Sequence, residues 1–320
     1  MLPSNSATTS ETRPIGAERD RFRGCLLGLA VGDAVGTTVE FRPRDSFAPL
    51  TDMVGGGPFG LQPGQWTDDT SMALCLATSL LERGGFDPED QMNRYCDWSE
   101  SGYLSSTGEC FDIGNTVSAA LARYRATGEP FSGSTHRHSA GNGSLMRLAP
   151  VPMFFYPDRE QALHYSVESS RTTHGALECL DACRVFGDML VRALAGAPKG
   201  EVLFAGGTDA ISSQTIVGIA RGGYRDKASR DIRGSGYVVD CLEAALWSFH
   251  ATDSFAAAIL QAANLGGDAD TTSAVCGQIA GAYYGEMGIP ARWLERLAMR
   301  QEIATLADRL HEFGDGSTPP

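Results

Sequence analysis

The stretch RGCLLGLAVGDAVGTTVEF, Arg23 to Phe41, decides the architecture. Glycines fall at 24, 28, 32 and 36, and a four-residue spacing puts all four on one helix face. A second backbone can approach closely along that smooth stripe. Asp33 in its middle argues against a transmembrane dimer face and for tight packing in a soluble bundle. Glu40 closes the stretch where an acid opposes the helix dipole, which points to a task outside the helix.

Working outward, residues 42–66 read as loop, with GGGPFG and QPGQ supplying turn residues before WTDDTSMALCLATSLLERGG opens a second helix. Further helices are expected near 88–101, 114–127, 159–170, 174–196, 208–220, 236–250, 252–263, 270–286 and 291–310. Long Ala/Leu runs with few β-branched alternations leave little room for a sheet. The expectation is one all-α domain over 19–313, with flexible tails at 1–18 and 314–320.

A chain of 320 residues is long enough to enclose a substantial core. Its net charge of -13, from 26 basic and 39 acidic residues, argues against a nucleic-acid partner and an anionic membrane surface. Eight scattered cysteines form no CxxC pair and no zinc spacing, so they read as reduced core residues. The N-terminal residues lack the apolar region of a signal peptide, and no uninterrupted apolar run reaches membrane-spanning length, so the expected location is the cytoplasm.

Two segments carry the chemistry. TDDTSMALCLA offers Thr67, Asp68 and Asp69, and GDADTTSAVCG offers Asp268, Asp270 and Thr271, each set just ahead of an apolar helix. All six are hard oxygen donors, which suits Mg²⁺ or Mn²⁺ better than zinc. So many acids suit two ions sharing a carboxylate. Helix capping would explain either cluster alone, whereas two matched clusters 200 residues apart favour metal. Two glycine-rich islands accompany them: FDIGNTV, with Asp112, Gly114 and Asn115, and SAGNGSLMR, with Gly141, Asn142, Gly143 and Ser144. Either could hold a phosphate at backbone N–H groups. Asp112 has no second acid beside it in sequence, so it is assigned to a ligand hydroxyl rather than to metal. His174 stands at a helix start, where capping and ligand binding are equally good readings.

These pieces, in this order, resemble the ADP-ribosylglycohydrolase family, and most closely its dinitrogenase-reductase-activating branch. The likeness runs from about Arg23 to about Leu310 through GLAVGDAVGTTVEF, WTDDTSM, FDIGNTV, GNGSLMRLAPV, THG, SGYVVDCLEAALW and GGDADTTSAVCGQIAGAYYG. It implies an orthogonal all-α bundle with a dinuclear Mg²⁺ or Mn²⁺ site between helix ends. The implied activity is metal-dependent hydrolysis of the bond joining ADP-ribose to a protein side chain, arginine first. By motif position Thr67, Asp68, Asp69, Asp268, Asp270 and Thr271 take the metal-ligand roles. Asp112, Gly114, Asn115, Gly141 to Ser144, His174 and Tyr237 fall where the family binds ADP-ribose. Glu40 falls where members carry an acid on a mobile loop over the site, at its rim, and Glu40, Asp69 or Asp268 could handle the proton.

The expected partner is an ADP-ribosylated protein. The competing reading is an immunity-type protein that blocks an ADP-ribosyltransferase toxin, with the Ser/Thr/Pro-rich tail as plug. An ADP-ribose-binding structural protein is disfavoured because all six ligand positions are filled.

Overall fold

The computed structural model describes residues 15–204 and 208–314. In chain order its helices are α1 (Ile15–Gly36), α2 (Asp68–Arg83), α3 (Pro88–Ser101), α4 (Asn115–Thr127), α5 (Pro150–Phe154), α6 (Arg159–Arg171), α7 (Leu177–Leu194), α8 (Lys199–Phe204), α9 (Gln214–Ala220), α10 (Val238–His250), α11 (Phe255–Ala263), α12 (Ala269–Tyr284), α13 (Ala291–Arg296) and α14 (Arg300–Gly314). Among the described residues there is no strand. Isolated bridges join Gly56 to Leu61, Ser134 to His174 and Gly141 to Tyr237.

The glycine stripe of α1 packs against α12. A Cβ built on Gly24, Gly28, Gly32 or Gly36 would sit 2.3, 2.3, 2.1 or 2.3 Å from the carbonyl oxygens of Gly281, Gly277, Ser273 and Ala269. In return, a Cβ on Gly277 or Gly281 would lie 2.0 or 1.9 Å from the carbonyls of Gly28 and Gly24. The partner numbers fall as the α1 numbers rise, so the two helices run antiparallel in direct backbone contact. The C-terminal end of α1 is thereby set beside the N-terminal end of α12. Around this pair a continuous core gathers Phe22, Trp66, Trp98, Phe186, Phe249, Phe255 and Trp293. The span Ala17–Val39 is long and apolar enough to cross a membrane, yet 89% of it is buried inside the protein, as befits a core helix.

Several boundaries differ from the sequence reading, among them the helix expected over 208–220, which opens at Gln214. Helix α1 opens at Ile15, so residues 15–18, assigned to the tail, are helical, while residues 1–14 lie outside the described residues. The single helix expected over 291–310 is two, broken at Met299, whose φ of 53° is left-handed. The break receives the preceding loop: Ala298 N–H donates to Gly64 O at 3.0 Å, and the Trp66 indole donates to Ala298 O at 3.2 Å. The short helices α5 and α8 are additions; Pro150 and Pro152 hide α5 from a propensity argument, although proline suits a first helical turn. At the C-terminus α14 takes in Gly314, and the remainder of the expected tail lies outside the described residues.

Candidate active site

The end of α1 meets the starts of α2 and α12, and Asp33 joins them. Its carboxylate accepts from Thr67 N–H at 3.0 and 3.1 Å, Thr67 Oγ1 at 2.9 Å, Thr70 N–H at 3.1 Å and Thr70 Oγ1 at 2.6 Å. A side chain of α1 thus satisfies the N–H groups of Thr67 and Thr70 at the start of α2. Thr67, the residue at the cap position, makes no side-chain cap bond, and neither does Asp268 at the start of α12. Capping does not account for either acidic cluster.

The acids turn toward one another instead. Oxygens of Asp33, Asp69 and Asp270 lie within 4.8 Å of each other, as do those of Glu40, Asp112 and Asp270. Asp69 Oδ2 accepts the hydroxyls of Thr67 at 3.2 Å and Thr271 at 3.4 Å. Asp268 Oδ2 accepts the Asn142 amide at 2.6 Å. Three buried oxygens, Glu40 Oε2, Asp69 Oδ1 and Asp270 Oδ1, have no hydrogen-bond partner among the described residues.

Backbone geometry holds the acids in place. Phe41 N–H donates to Gly267 O at 2.7 Å and Gly267 N–H to Arg42 O at 2.8 Å, tying the segment after Glu40 to the approach of α12. Gly267 has φ of 70°, and a Cβ there would stand 2.1 Å from Gly234 O, so glycine is required. Asp112 itself adopts φ of 61°, a left-handed conformation that presents its carboxylate beside Glu40 and Asp270.

Above the acids lies a cavity of about 720 Å³, lined by Glu40, Asp68, Asp112, Asp268, Asp270 and Thr271. Gly114, Asn115, Asn142, Gly143 and His174 also line it. A second cavity of about 830 Å³ adjoins it at Gly236 and is lined by Arg137, His138, Gly141, Glu178 and Tyr237 among others.

Burial raises every one of these carboxyls, because the charged form loses its water. Asp33 is pushed to about 6, against hydrogen bonds from Thr70 and Thr67 that favour its ionised form. Asp112 reaches about 7 by burial. Glu40 reaches about 9, by burial and then by the charge of Asp112. Asp68, Asp69 and Asp270 are driven well above the ordinary carboxylate range by burial and then by the charges of Asp112, Asp33 and Glu40 respectively, and Asp268 is raised by burial. Seven carboxyls, with no arginine or lysine paired to them among the described residues, form a site whose ionised state added positive charge would stabilise. His174 goes the other way: burial, then the charge of Arg147, push its imidazole down to about 3, so it is neutral.

The structure corrects three details of the sequence reading. Glu40 is buried beside Asp112 and Asp270 rather than at the rim; the exposed residue there is Phe41, at 64%. Ser144 does not face the cavity: its hydroxyl accepts from Ser170 at 2.8 Å inside the core. Gly141 and Tyr237 line the adjoining cavity. The reason for setting Asp112 apart from the metal set, its isolation from other acids, does not hold, since Glu40 and Asp270 stand beside it. Thr67 and Asp69 lie beneath the cavity floor, fully buried. Sequence reasoning missed Asp33 as a site residue, although an acid inside an apolar glycine-striped helix was the available signal.

Unpartnered buried carboxylate oxygens, grouped with threonine hydroxyls and without nitrogen or sulfur donors, fit a hard divalent cation. An all-helical bundle that converges helix ends on such a cluster beneath a ligand-sized cavity is an arrangement suited to metal-dependent hydrolysis. More narrowly, the family model for ADP-ribosylglycohydrolase matches residues 15–319, and the chain belongs to that family. It is similar to ADP-ribosylarginine hydrolase Tri1 of Serratia proteamaculans, 44% identical over 91% of this chain and 79% of that protein. It is similar also to the ADP-ribosyl-[dinitrogen reductase] glycohydrolase of Rhodospirillum rubrum, 34% identical over 88% of this chain and 92% of that protein. A solved structure described as an ADP-ribosylglycohydrolase-related protein complex superposes with a TM-score of 0.84 at 44% identity, covering 94% of this chain and all of that one.

Proposed function

We propose that this protein is a divalent-metal-dependent hydrolase that removes ADP-ribose from modified protein side chains, arginine first. The observation that carries the reading is the convergence of Glu40 Oε2, Asp69 Oδ1 and Asp270 Oδ1, three buried oxygens without partners, under a cavity large enough for a nucleotide-sized ligand. The arginine linkage rests on the relatives, two of which bear the name ADP-ribosylarginine hydrolase at 44% and 46% identity.

Asp68, Asp69, Asp268, Asp270, Thr67 and Thr271 would hold two Mg²⁺ or Mn²⁺ ions, with Asp112 and Glu40 close enough to share one. Asp33 is a brace rather than a ligand, because five donor contacts from Thr67 and Thr70 occupy its two oxygens. Such ions supply positive charge that grips ribose hydroxyls and acidifies water. Asn142, Asn115 and Gly114 orient the sugar at the cavity wall, and the adjoining cavity, with Arg137 and His138, receives the remainder of the nucleotide. Carboxylates around the anomeric carbon favour the oxocarbenium charge that develops as the C–N bond breaks. Of the three candidates for proton handling, Asp69 lies below the floor and Asp268 is engaged by Asn142, so Glu40, which lines the cavity and keeps Oε2 unpartnered, takes that role. All eight cysteines are free thiols, which supports a reducing cytoplasmic location.

The toxin-blocking alternative is not adopted, because the similar proteins bear the names of hydrolases; of its plug, residues 15–18 belong to α1 and residues 1–14 lie outside the described residues. The deciding assay is release of ADP-ribose from an arginine-modified protein, with EDTA and with Mg²⁺ or Mn²⁺ added back. Absence of release under metal-replete conditions would sink the reading.

A further inference from the structure

Arg147 is fully buried and has no carboxylate partner among the described residues. Its guanidinium lies over the Tyr95 ring at 4.6 Å and donates to Ser169 O and Thr172 Oγ1, both at 3.4 Å, and to Thr173 Oγ1 at 2.7 Å. Thr173 Oγ1 in turn stands 2.8 Å from His174 Nδ1. A guanidinium has no acceptor, so Thr173 receives from Arg147 and must direct its own single proton elsewhere. The acceptor within reach among the described residues is His174 Nδ1. A proton on Nδ1 would give the Thr173 oxygen two donors and leave its buried O–H with none to meet, at the cost of an unmade hydrogen bond.

The opposite edge of the ring faces the Gly141–Gly143 loop. A Cβ on Gly143 would fall 2.8 Å from His174 Cε1 and 3.2 Å from Nε2, and one on Gly141 would fall 3.3 Å from Nε2. The two glycines therefore put no side chain of their own against that edge, and His174, though only 1% exposed, is among the residues lining the acidic cavity. Nε2 has no partner among the described residues.

We propose that Arg147 and Thr173 are positioning residues that lock His174 in the neutral tautomer protonated on Nε2, making it a hydrogen-bond donor to an acceptor oxygen of the bound ADP-ribose moiety. Burial and the positive charge of Arg147 keep the ring from gaining a second proton, so its state is set by the relay and not by solution pH. The donor is ready before the ligand arrives, which spares reorganisation on binding. The ligand half of the proposal rests on the function proposed above; the tautomer half does not.

The test is ¹⁵N-histidine NMR on the full chain, joined to ADP-ribose titration calorimetry. The wild type should show an unprotonated Nδ1 and a protonated Nε2, unchanged across roughly pH 5 to 8. Thr173→Val keeps the shape and removes the relay: the one-sided signature should be lost and ADP-ribose affinity should fall about tenfold, the factor given by about 1.4 kcal/mol. Thr173→Ser should restore both. A protonated Nδ1 in the wild type, or an unaltered signature in Thr173→Val, overturns the relay. A lost signature with undiminished affinity overturns the donor role. If the wild type binds no ADP-ribose, the proposed function and the donor role fall together, while the ligand-free spectrum still decides the tautomer.

Discussion

Asp33 accepts both the hydroxyl of Thr70 at 2.6 Å and its backbone N–H at 3.1 Å, so a carboxylate of α1 closes the first turn of α2. The arrangement makes one side chain responsible for the placement of Thr67, Asp68 and Asp69 together. Asp33→Ala should destabilise the fold by about 1–3 kcal/mol, the cost of buried donors left unmatched, and should also weaken divalent-cation binding. Thermal unfolding and metal titration read the two effects separately. Unaltered cation affinity in a folded Asp33→Ala protein would show that the brace does not reach the metal set.

Chelation should lower stability in a pH-dependent way. A carboxyl whose folded pKa is raised keeps its proton in the native state after the unfolded chain has lost it. Its contribution is therefore complete below the unfolded value of about 4 and fades as pH rises through the folded value. For Asp112 and Glu40 those values are about 7 and about 9. The melting temperature of the metal-free protein should fall steadily from pH 5 to pH 9. With saturating Mg²⁺ or Mn²⁺ the fall should vanish, since the ion stabilises the ionised cluster and its binding releases protons. A flat profile for the chelated protein contradicts the raised acids.

Glu40→Gln preserves size and removes the proton-handling group. Turnover on arginine-linked ADP-ribose should drop by about 10² to 10⁴, with ADP-ribose affinity nearly retained. Metal analysis of the same protein distinguishes proton handling from ligation, because a missing ion would shift Glu40 into the ligand set.

Asn142→Asp places a second carboxylate 2.6 Å from Asp268 Oδ2, where an amide now donates. Without added charge the pair must share a proton, so hydrolysis should be lost at neutral pH while helical content is unchanged. Asn142→Ala, which merely removes the donor, should be the milder variant in kcat. Equal losses in the two would mean that the missing amide contact, and not the repulsion beside Asp268, sets the effect.

Gly32→Ala should be among the most damaging single methyl additions in the protein, because its Cβ would lie 2.1 Å from Ser273 O and backbone cannot swing aside. A loss of about 1–3 kcal/mol is expected from overpacking, with reduced cation affinity as the helix ends separate. Gly218→Ala, in α9 with open space around the new methyl, should be neutral or stabilising by up to about 1 kcal/mol.

The all-α class and the close approach along α1 were readable because glycine at every fourth position has few other physical meanings. The two acidic clusters were readable because their donor types repeat. What the sequence did not disclose is who faces whom. Ser144 sits in a glycine-rich motif yet turns into the core toward Ser170, since a motif names a loop and not the side of it that meets the cavity. Asp112 gains two acidic neighbours from positions 72 residues before it and 158 after it, which no local inspection could pair. The break at Met299 depends on the Gly64–Trp66 loop docking there, a tertiary event invisible to helix periodicity.

The backbone-to-backbone seam of α1 and α12 has a mechanical consequence. Side-chain interfaces have slack, because rotamers can shift to absorb a displacement, whereas a seam of touching main chains has none. The seam works as a fixed gauge for the gap that the cations must fill. Tolerance to change is thereby exported to the loops that carry Phe41, Ile113 and Tyr237, where new substrates can be accommodated without resetting the distance between the two acidic ends.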